Sequence, residues 1–423
     1  MINYFSDNIA NTELPETVNH PLNYSPHPLA IKASKHLQQH LLNLTDSLYH
    51  FNGFQNGKMF GVLVIKDAEN RIGYLAAFSG AINNQWTLSG FVPPIFDPKL
   101  QNQSYPQNTI CNIYGQHRAI STFFAEQKFF FDGTGDCPTI KLYHYAHANK
   151  LTPLTSTEFW WGEMPEGEIR HHGHFYPASR GKCAPVLPFL LQGLNVEDIT
   201  LANLKSHDDN EPATVYEDKY LAVINKPHGL LSVPGKNTQD SVLSRLQQRY
   251  PGATGPLLLH RLDLDTSGLL LLAKNSESHK QLQQQFMSNE IKKCYVALLS
   301  QPTNDNALPL AIKPTGEINL PIRVDLEDRP RQMVCYEHGK LAKTEWKIIE
   351  ITENLIRIHL YPITGRTHQL RVHAAHKKGL NLPILGDNLY GSTADRLYLH
   401  AESLTFTHPH TGKSLNIKIP APF

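Results

Sequence analysis

The chain has 423 residues, of which 40% are hydrophobic and 18% are charged, and its 39 basic and 38 acidic residues give a net charge of +1. This composition is typical of a globular, core-forming chain, and the length predicts two or three domains. The near-neutral balance neither requires nor excludes a nucleic-acid partner, because a local basic face is compatible with a neutral whole.

The cysteines and the apolar runs bear on the compartment. Five widely spaced cysteines do not indicate a disulfide framework and favour a reducing environment. No run approaches 18 consecutive apolar residues, which argues against a membrane span. The first residues lack the charged and apolar regions of a signal peptide. We therefore expect a protein of the cytoplasm.

The first half of the chain is predicted to be a separate mixed α/β domain. Residues 1–28 are polar and Pro-punctuated and are expected to be irregular. Leucines at helical spacing predict a helix over 29–50, and strand-forming runs predict a hairpin of Met59–Lys66 and Gly73–Phe78. Two further helices are expected over Arg118–Phe131 and Thr139–His147. Polarity rises and apolar periodicity stops around 205–213, so we predict an accessory domain at 1–205, a linker at 206–213 and a second domain at 214–423.

The second domain combines many strands with interspersed helices and shows no regular βαβ alternation. Strands are expected at Tyr220–Asn225, Leu257–Leu259, Leu269–Ala273, Tyr295–Leu299, Lys343–Ile349, Ile356–Tyr361 and Leu404–Thr407. Helices are expected at Ser241–Tyr250 and Ser276–Asn289 and after Gly365. This order predicts an α+β fold with a mixed sheet.

The most informative motif is the run His260–Gly268 (HRLDLDTSG), which leads into a five-residue apolar block. In an extended segment, Arg261 and Asp263 share one face while Leu262 points the other way. The segment can therefore bury Leu262 and present a guanidinium and a carboxylate together. From the pattern alone, an ordinary ion pair at the entrance of a strand is an equally good interpretation.

Further segments share this character, and together they resemble the signature blocks of the RluA-type family of RNA pseudouridine synthases, in that family's order. The segments are Asn225–Gly235, Lys292–Ala297, Gly365–His373, Pro383–Gly391 and Leu399–Ala401. The resemblance covers about residues 214–423. It implies a pseudouridine synthase fold with a mixed, largely antiparallel sheet and a central cleft, and an enzyme without metal or cofactor that acts on structured RNA, in ribosomal or transfer RNA stem-loops.

The resemblance also implies roles for individual residues. Asp263 matches the family's catalytic Asp, with Asp265 as a less favoured rival. Arg371 matches the Arg that pairs with the catalytic carboxylate, and Tyr295 matches the active-site Tyr. Arg261 matches the position that fills the gap left by a flipped base, although simple phosphate binding is the alternative.

Other basic residues are assigned to RNA binding or to structure. Arg366 is expected to contact phosphate or to be structural, and Lys226 is expected to give structural or electrostatic support. A basic segment downstream resembles the branch of the family that modifies short stem-loops, and its Arg329, Arg331, Lys340 and Lys343 would suit a sugar-phosphate track. The alternative is a solvated basic hairpin.

The first half carries no recognised motif. Its possible metal ligands lack zinc-finger spacing, so a polar loop is favoured over a metal site: Cys137, Cys183, His171, His172 and His174. An RNA-docking module is preferred, because Trp160, Trp161 and the basic loops offer stacking and charge. Two alternatives remain open for the whole chain: a catalytically inactive RNA-binding protein, and a bifunctional protein with a second activity in its first half. A monomer is the expected state.

Overall fold

The structure is a computed structural model that describes residues 1–5, 13–23, 25–43, 57–82, 84–95, 108–125, 135–197, 211–235, 238–300, 313–352 and 355–423. The chain divides into two compact units. Unit one contains Met1–Ala202 and, from the second half of the sequence, Val324–Arg331. Unit two contains Asn203–Arg323 and Gln332–Phe423. Of the predicted linker at 206–213, residues 206–210 lie outside the described residues.

Unit one is built on an antiparallel sheet of five strands in the order β1-β3-β2-β6-β7, with a separate pair of strands, β4 and β5. Its strands are β1 (Asn3–Tyr4), β2 (Lys58–Lys66), β3 (Ile72–Phe78), β4 (Thr109–Cys111), β5 (His117–Ala119), β6 (Thr152–Trp161) and β7 (Phe175–Tyr176). Its helices are α1 (Pro28–Asn43), α2 (Pro138–Ala148), α3 (Leu187–Leu190) and a 3-10 turn at Ile120–Phe124.

The core of unit one lies on both faces of its sheet, because successive residues of β2 point to opposite sides. Phe60 and Val62 pack with the apolar stripe of α1, which repeats every four residues from Leu29 to Leu41. Leu63 and Ile65 pack instead with α2. The sheet therefore has α1 on one face and α2 on the other.

Most of the predicted elements of unit one are confirmed. The hairpin is present as β2 and β3, which pair from Phe60–Phe78 to Lys66–Ile72. The helix expected over 29–50 runs from Pro28 to Asn43, and its remainder lies outside the described residues. α2 matches the helix expected over Thr139–His147.

One prediction for unit one needs correction, and one strand was not predicted. The helix expected over Arg118–Phe131 is wrong for its described part, where β5 pairs with β4 and a 3-10 turn follows. Pairing of β5 with the neighbouring strand β4 overrides the helical spacing of the local apolar residues. The sequence pattern also failed to indicate β6, the strand that pairs with the full length of β2.

Unit two is built on a nine-stranded sheet with three helices. Its strands are β8 (Ala213–Glu217), β9 (Leu221–Lys226), β10 (Ser267–Ala273), β11 (Lys292–Ser300), β12 (Thr315–Asn319), β13 (Ile322–Val324), β14 (Gln332–Val334), β15 (Lys343–Ile351), β16 (Leu355–Pro362), β17 (Leu399–Thr407) and β18 (Ser414–Lys418). Its helices are α4 (Val242–Arg249), α5 (Ser276–Met287) and α6 (Gln369–Ala375). The main order is β12-β15-β16-β11-β17-β10-β9-β8, with β18 beside β17, while β13 and β14 pair separately.

The predicted α+β class with a mixed, largely antiparallel sheet is confirmed. The ladders of the large sheet are antiparallel except that between β10 and β17, which is parallel. The expected strand at Leu257–Leu259 is wrong: Leu257 has a positive φ of 64°, and Leu258 makes only an isolated bridge to Leu272. Left-handed backbone at a bulky residue interrupts an extended segment.

A close backbone approach fixes where β10 begins. Gly268, the last residue of the HRLDLDTSG run, has a φ of +113°, and a Cβ atom there would lie 2.3 Å from the carbonyl oxygen of Ala401 on β17. Only glycine fits this contact. The run therefore ends where β10 joins β17, and its two aspartates lie in the loop immediately before the strand.

Two further features concern the cysteines and the helices. All five cysteines are free, which agrees with the absence of a disulfide framework. Among the described residues, none of the helices has the length and apolar character needed to cross a bilayer.

Candidate active site

The loop that carries Asp263 is fixed by its backbone. Leu262 is buried, and both of its main-chain polar groups bond to one hydroxyl: Ser232 Oγ donates to the Leu262 carbonyl at 2.7 Å and accepts from the Leu262 amide at 3.0 Å. Arg261, on the other side of the loop, is exposed. Leu262 is therefore buried as predicted and anchors the segment, while Arg261 is exposed and Asp263 is partly exposed.

Lys226 joins this loop to the one that follows β9. Its ammonium is fully buried and donates to three carbonyl oxygens, those of Pro227 at 2.7 Å, Leu230 at 2.7 Å and Leu264 at 2.9 Å. Burial lowers the pKa of Lys226 to about 7, although Asp265 and Asp263 act in the opposite direction. Three acceptors satisfy all three N–H donors of the charged form. We therefore assign Lys226 a structural role, because it holds the loop after β9 against the loop that carries both aspartates.

Arg371 has a closer partner than the sequence predicted. Its Nε and Nη2 atoms donate to the two carboxylate oxygens of Asp387 at 2.8 and 2.6 Å, whereas its Nη1 atom lies 4.0 Å from Asp263. Asp387 is fully buried and also accepts from the amides of Leu389 and Tyr390, both at 3.1 Å. The bidentate pair fixes the guanidinium and leaves one edge of it towards Asp263.

Sequence reasoning missed Asp387 as a site residue. The signal was available, because Asp387 lies in the block Pro383–Gly391 that contributed to the family resemblance. No role was assigned to it, since the resemblance already supplied Asp263 as the partner of Arg371.

The electrostatic environment of Asp263 opposes its charge. Burial raises the pKa of Asp263, Arg371 lowers it, and Asp387 raises it again. The side chain of Asp263 nevertheless keeps 27% of its surface exposed, against 3% for Arg371. The pKa of Asp265 is raised in the same way, chiefly by burial. Asp263 is thus a desolvated but reachable carboxylate, which favours reactivity towards an electron-poor carbon.

Tyr295 lies on β11, paired with Leu360 of β16 and Ala401 of β17. Its ring borders two apolar clusters, one under α6 and one under α4. Burial raises the pKa of Tyr295, and the negative charge of Asp263 adds to the rise. The hydroxyl therefore stays protonated near neutral pH. Tyr295 also lies close enough to Asp263 for the two groups to interact electrostatically. Asp263, Tyr295 and Arg371 are all brought together in unit two.

The basic residues predicted to bind RNA in unit two differ in exposure. Three of them are exposed: Arg261, Arg366 and Lys340. The Nε of Arg366 donates to the carbonyl of Leu341 at 3.1 Å. Lys343 is half-buried and forms an ion pair with Glu317 at 2.9 Å. The first three are available for phosphate, whereas Lys343 would have to exchange a carboxylate for it.

Arg329 and Arg331 belong to unit one, in the segment Val324–Arg331. Arg329 is exposed. Arg331 is only 4% exposed, donates to the Ile169 carbonyl at 2.7 Å and lies over the ring of Tyr176 at 5.6 Å. The structure does not fit a phosphate contact for Arg331, and we reassign it to the packing of unit one.

The cysteine and histidine candidates of unit one do not form a metal centre in the described part of the chain. Cys137 and Cys183 are both buried and interact with each other. The interaction with Cys137 and its own burial raise the pKa of the Cys183 thiol. His172 packs on the ring of Trp161 at 4.2 Å. Within the described residues, none of the five candidates belongs to a close group of three metal-ligating side chains: Cys137, Cys183, His171, His172 and His174.

The tryptophans predicted to stack on RNA are also placed differently. Trp161 is 5% exposed and belongs to the core beneath α1. Trp160 keeps partial exposure, and its indole N–H donates to the carbonyl of Glu163 at 3.0 Å. Trp161 cannot stack on a base in this conformation, so the RNA-docking hypothesis for unit one loses one of its supports.

Comparison with known proteins decides the family. The model of the RNA pseudouridylate synthase family matches residues 220–376. The dual-specificity RNA pseudouridine synthase RluA of Haemophilus ducreyi is 49% identical over 203 residues, covering 46% of this chain and 86% of the relative. The RluA protein of Escherichia coli K12 is 44% identical over 218 residues, covering 49% of this chain and 93% of the relative. This chain belongs to the RluA-type family of RNA pseudouridine synthases.

As a pseudouridine synthase the chain is an enzyme, and the aligned region corresponds to the half that holds Asp263, Tyr295 and Arg371, while the N-terminal part is unmatched. Among solved structures, human RNA pseudouridylate synthase domain containing 1 shares 26% identity with a TM-score of 0.41, covering 51% of this chain and 85% of that one. The resemblance stated from the motifs is confirmed.

Proposed function

We propose that this synthase converts specific uridines of structured RNA, in ribosomal or transfer RNA stem-loops, into pseudouridine, with Asp263 as the nucleophile on a flipped-out uridine. One observation carries the proposal: Asp263 is a partly exposed carboxylate on an anchored loop, beside an Arg371 that Asp387 holds in place. The relatives' name, dual-specificity RNA pseudouridine synthase, supports the substrate class.

The proposed chemistry follows the way glycosidases use a carboxylate. An oxygen of Asp263 attacks C1′ of the ribose, and the electrons of the C1′–N1 bond pass to the uracil ring. The detached base rotates until its C5 carbon faces C1′. C5 then bonds to C1′, the carboxylate is released, and C5 loses its proton while N1 gains one. A carboxylate that only stabilises positive charge at C1′ is the variant of this step that the same geometry allows.

The other residues act on orientation and charge. Arg371 lowers the pKa of Asp263 and so favours its ionised form. It does so without a short hydrogen bond to Asp263, because its Nε and Nη2 donors are taken by Asp387. The ring of Tyr295 stacks on the uracil, and its protonated hydroxyl is available to hold or pass a proton. Arg261, exposed beside Asp263, fills the gap that the flipped nucleotide leaves.

Binding of the RNA is assigned to the exposed basic residues. Phosphate contacts from Arg366, Lys340 and Arg329 would position the stem-loop without reading its sequence. Lys343 would join them by releasing Glu317. Replacing any one of these side chains by alanine should reduce the dependence of RNA affinity on salt concentration. We further propose a monomeric protein of the cytoplasm, in which unit one assists RNA docking.

Two other functions make different predictions. An inactive RNA-binding protein on this scaffold has no use for a desolvated carboxylate beside a positioned guanidinium, so the Asp263 environment favours the enzyme. A bifunctional protein would carry a second reaction in unit one, and it predicts an activity that survives loss of Asp263.

Release of tritium from RNA labelled at uracil C5 tests the proposal, because the C5 proton is lost only when the new bond forms. Asp263→Asn is expected to remain folded and to release no tritium, whereas Asp265→Asn is expected to retain release. Release by Asp263→Asn at the wild-type rate would overturn the assignment. Loss confined to Asp265→Asn would move the nucleophile. Mapping pseudouridines in RNA from cells with and without the protein would then identify the target uridine.

A further inference from the structure

Three side chains of different chemistry converge on unit two away from the proposed active site. The ligand atoms of Cys294, His359 and Glu402 all lie within 4.8 Å of one another. His359 Nε2 and a carboxylate oxygen of Glu402 are 3.5 Å apart, and the two side chains are 26% and 25% exposed. Cys294 is half-buried. The three together offer a thiol, an imidazole and a carboxylate at one point of the sheet surface.

The sheet itself brings these residues together. They lie on the adjacent strands β11, β16 and β17, and the ladder between β11 and β17 shifts register at Cys294. Because Cys294 pairs with Ser403 and Tyr295 pairs with Ala401, Glu402 is the extra residue of a β-bulge. Bulges re-aim side chains, and this one turns Glu402 towards Cys294. Since neighbours along a strand face opposite sides, the cluster lies on the face opposite Tyr295.

A supporting hydrogen bond orients the imidazole. His359 Nδ1 is 3.2 Å from the hydroxyl of Tyr361 on the same strand, which leaves Nε2 directed at Glu402. Histidines that bind metals commonly use one ring nitrogen for the metal and bond the other to a supporting group. Tyr361 also interacts with the thiol of Cys294. One hydroxyl thus touches two members of the cluster.

We propose that Cys294, His359 and Glu402 form a binding site for one divalent transition-metal ion of the zinc class. Sulfur and imidazole ligands select zinc or cobalt over magnesium or calcium, which prefer all-oxygen sites. Ligand bonds of about 2.0–2.3 Å in a tetrahedron separate the ligands by roughly 3.3–3.8 Å. The 3.5 Å between His359 and Glu402 already meets that spacing, and three protein ligands leave the fourth position to water.

Nearby positive charges weaken the affinity of this site for a cation but do not exclude binding. The positive charges of Lys347, Arg357 and Lys418 act on His359 and oppose a bound cation. A thiolate from Cys294 and the carboxylate of Glu402 supply two negative charges, which match a divalent ion. The alternative interpretation is a half-exposed His–Glu ion pair with a neighbouring thiol, and it predicts no sulfur–metal bond.

The ion would be structural with respect to the proposed reaction. It would tie three strands of the sheet together, next to Tyr295 in sequence but on the other face of β11, and would not contact RNA at Asp263. We therefore expect metal binding to stabilise unit two and to leave the tritium-release rate unchanged. This separates the fate of the metal site from that of the proposed function.

Cobalt(II) titration of the full-length protein tests the site, because a thiolate–cobalt bond gives a charge-transfer band that oxygen and nitrogen ligands do not. Wild type is expected to develop the band at one equivalent, and Cys294→Ser and His359→Gln are expected to lose or greatly weaken it. Cys335→Ser is the matched control, since Cys335 is also half-buried in unit two, and it should keep the band.

A second readout, the rate of cysteine alkylation, accompanies the titration. Zinc should slow alkylation of Cys294 at least tenfold, measured by peptide mass spectrometry, while Cys335 should react at an unchanged rate. Absence of the band in wild type overturns the proposal, as does a band that persists in both Cys294→Ser and His359→Gln. If Cys294→Ser does not fold, the loss of the band in His359→Gln and the alkylation rate of Cys294 in wild type decide the question.

Discussion

Two carboxylates flank Arg371, the partly exposed Asp263 and the buried Asp387. We expect removal of either one to lower catalysis, but only removal of Asp387 to destabilise unit two strongly. Asp263→Asn is expected to abolish catalysis and to leave unit two as stable as wild type or more stable. Burial raises the pKa of Asp263, so its charge is less favoured in the folded than in the unfolded state. The contribution of this group to the free energy of unfolding therefore falls as pH rises from its unfolded pKa of about 3.9 through the higher folded pKa. At neutral pH, neutralising it removes a cost.

The distances set the magnitude. A unit charge pair at the 4.0 Å that separates Arg371 from Asp263 is worth about 4 kcal/mol at an effective dielectric constant of about 20. Desolvation of Asp263 opposes this attraction most strongly, and the charge of Asp387, bound to the same guanidinium at 2.6 Å, opposes it further. We therefore expect the free energy of unfolding of Asp263→Asn to be within about 1 kcal/mol of the wild-type value or above it.

Asp387→Ala is the matched contrast. It leaves the 3%-exposed side chain of Arg371 without its bidentate partner and removes the acceptor of two backbone amides. Breaking a buried ion pair in this way costs about 3–5 kcal/mol. Catalysis should also fall, because Arg371 then pairs directly with Asp263 and draws it out of position.

Amide hydrogen exchange of the β10 and α6 peptides reports the stability of unit two separately from unit one. Since about 1.4 kcal/mol is a factor of ten, a loss of about 3–5 kcal/mol should speed exchange of the slowest amides in Asp387→Ala roughly a hundredfold to a few thousandfold. Asp263→Asn should leave their rates near wild type. If Asp263→Asn instead destabilises unit two as strongly as Asp387→Ala, then Asp263 is the structural partner of Arg371 and our division of roles fails.

The remaining predictions concern pH, metals, backbone and modularity. The Asp263 carboxylate must be ionised to react, and burial raises its pKa, so the single-turnover rate should fall on acidification with a midpoint above about pH 3.9. A midpoint at or below that pH contradicts the assignment. Exhaustive chelation should leave the tritium-release rate intact, and a loss that zinc or magnesium restores would show that the reaction needs a metal. Gly268→Ala should destabilise unit two by at least about 1–3 kcal/mol because of its positive φ, and the clash with Ala401 should add to this loss. Hydrogen exchange of β10 measures the effect, and wild-type exchange rates would refute the close-approach argument. A fragment of residues 214–423 should fold and modify a stem-loop, but it should bind RNA more weakly and with less dependence on salt than the whole chain. Affinity and single-turnover rate across a salt series measure this. A folded fragment whose rate at saturating RNA is far below that of the whole chain would show that unit one helps to build the active site.

Local pattern was sufficient for much of unit two. The alternation of Arg261, Leu262 and Asp263 predicted which side chain would be buried, because period-two geometry is a property of the backbone. It could not predict that Asp387 would take the two inner donors of Arg371. That pairing depends on how the chain folds back after α6, and only the tertiary structure brings the two side chains together.

Burial of charged and aromatic residues was the other limit. A basic segment is usually solvated, yet Arg331 is buried on Tyr176 and bonded to the Ile169 carbonyl, 162 residues away in sequence. Trp161 belongs to a strand that pairs with all of β2, which the sequence pattern did not indicate. In both cases the outcome depends on a partner from a distant segment, and residue type gives no information about that partner.

The composition of unit one also constrains the order in which the protein forms on the ribosome. Unit one includes Val324–Arg331, and 129 residues separate Ala202 from Arg331. At synthesis rates of about 5–20 residues per second, the nascent unit waits roughly 6–26 s for this segment. During that interval Arg170 lacks the carboxylate of Asp328, 3.2 Å away in the finished fold, and Tyr176 lacks the guanidinium of Arg331. Unit one therefore cannot reach its final packing until most of the catalytic half has been translated, which links the maturation of the two halves in time.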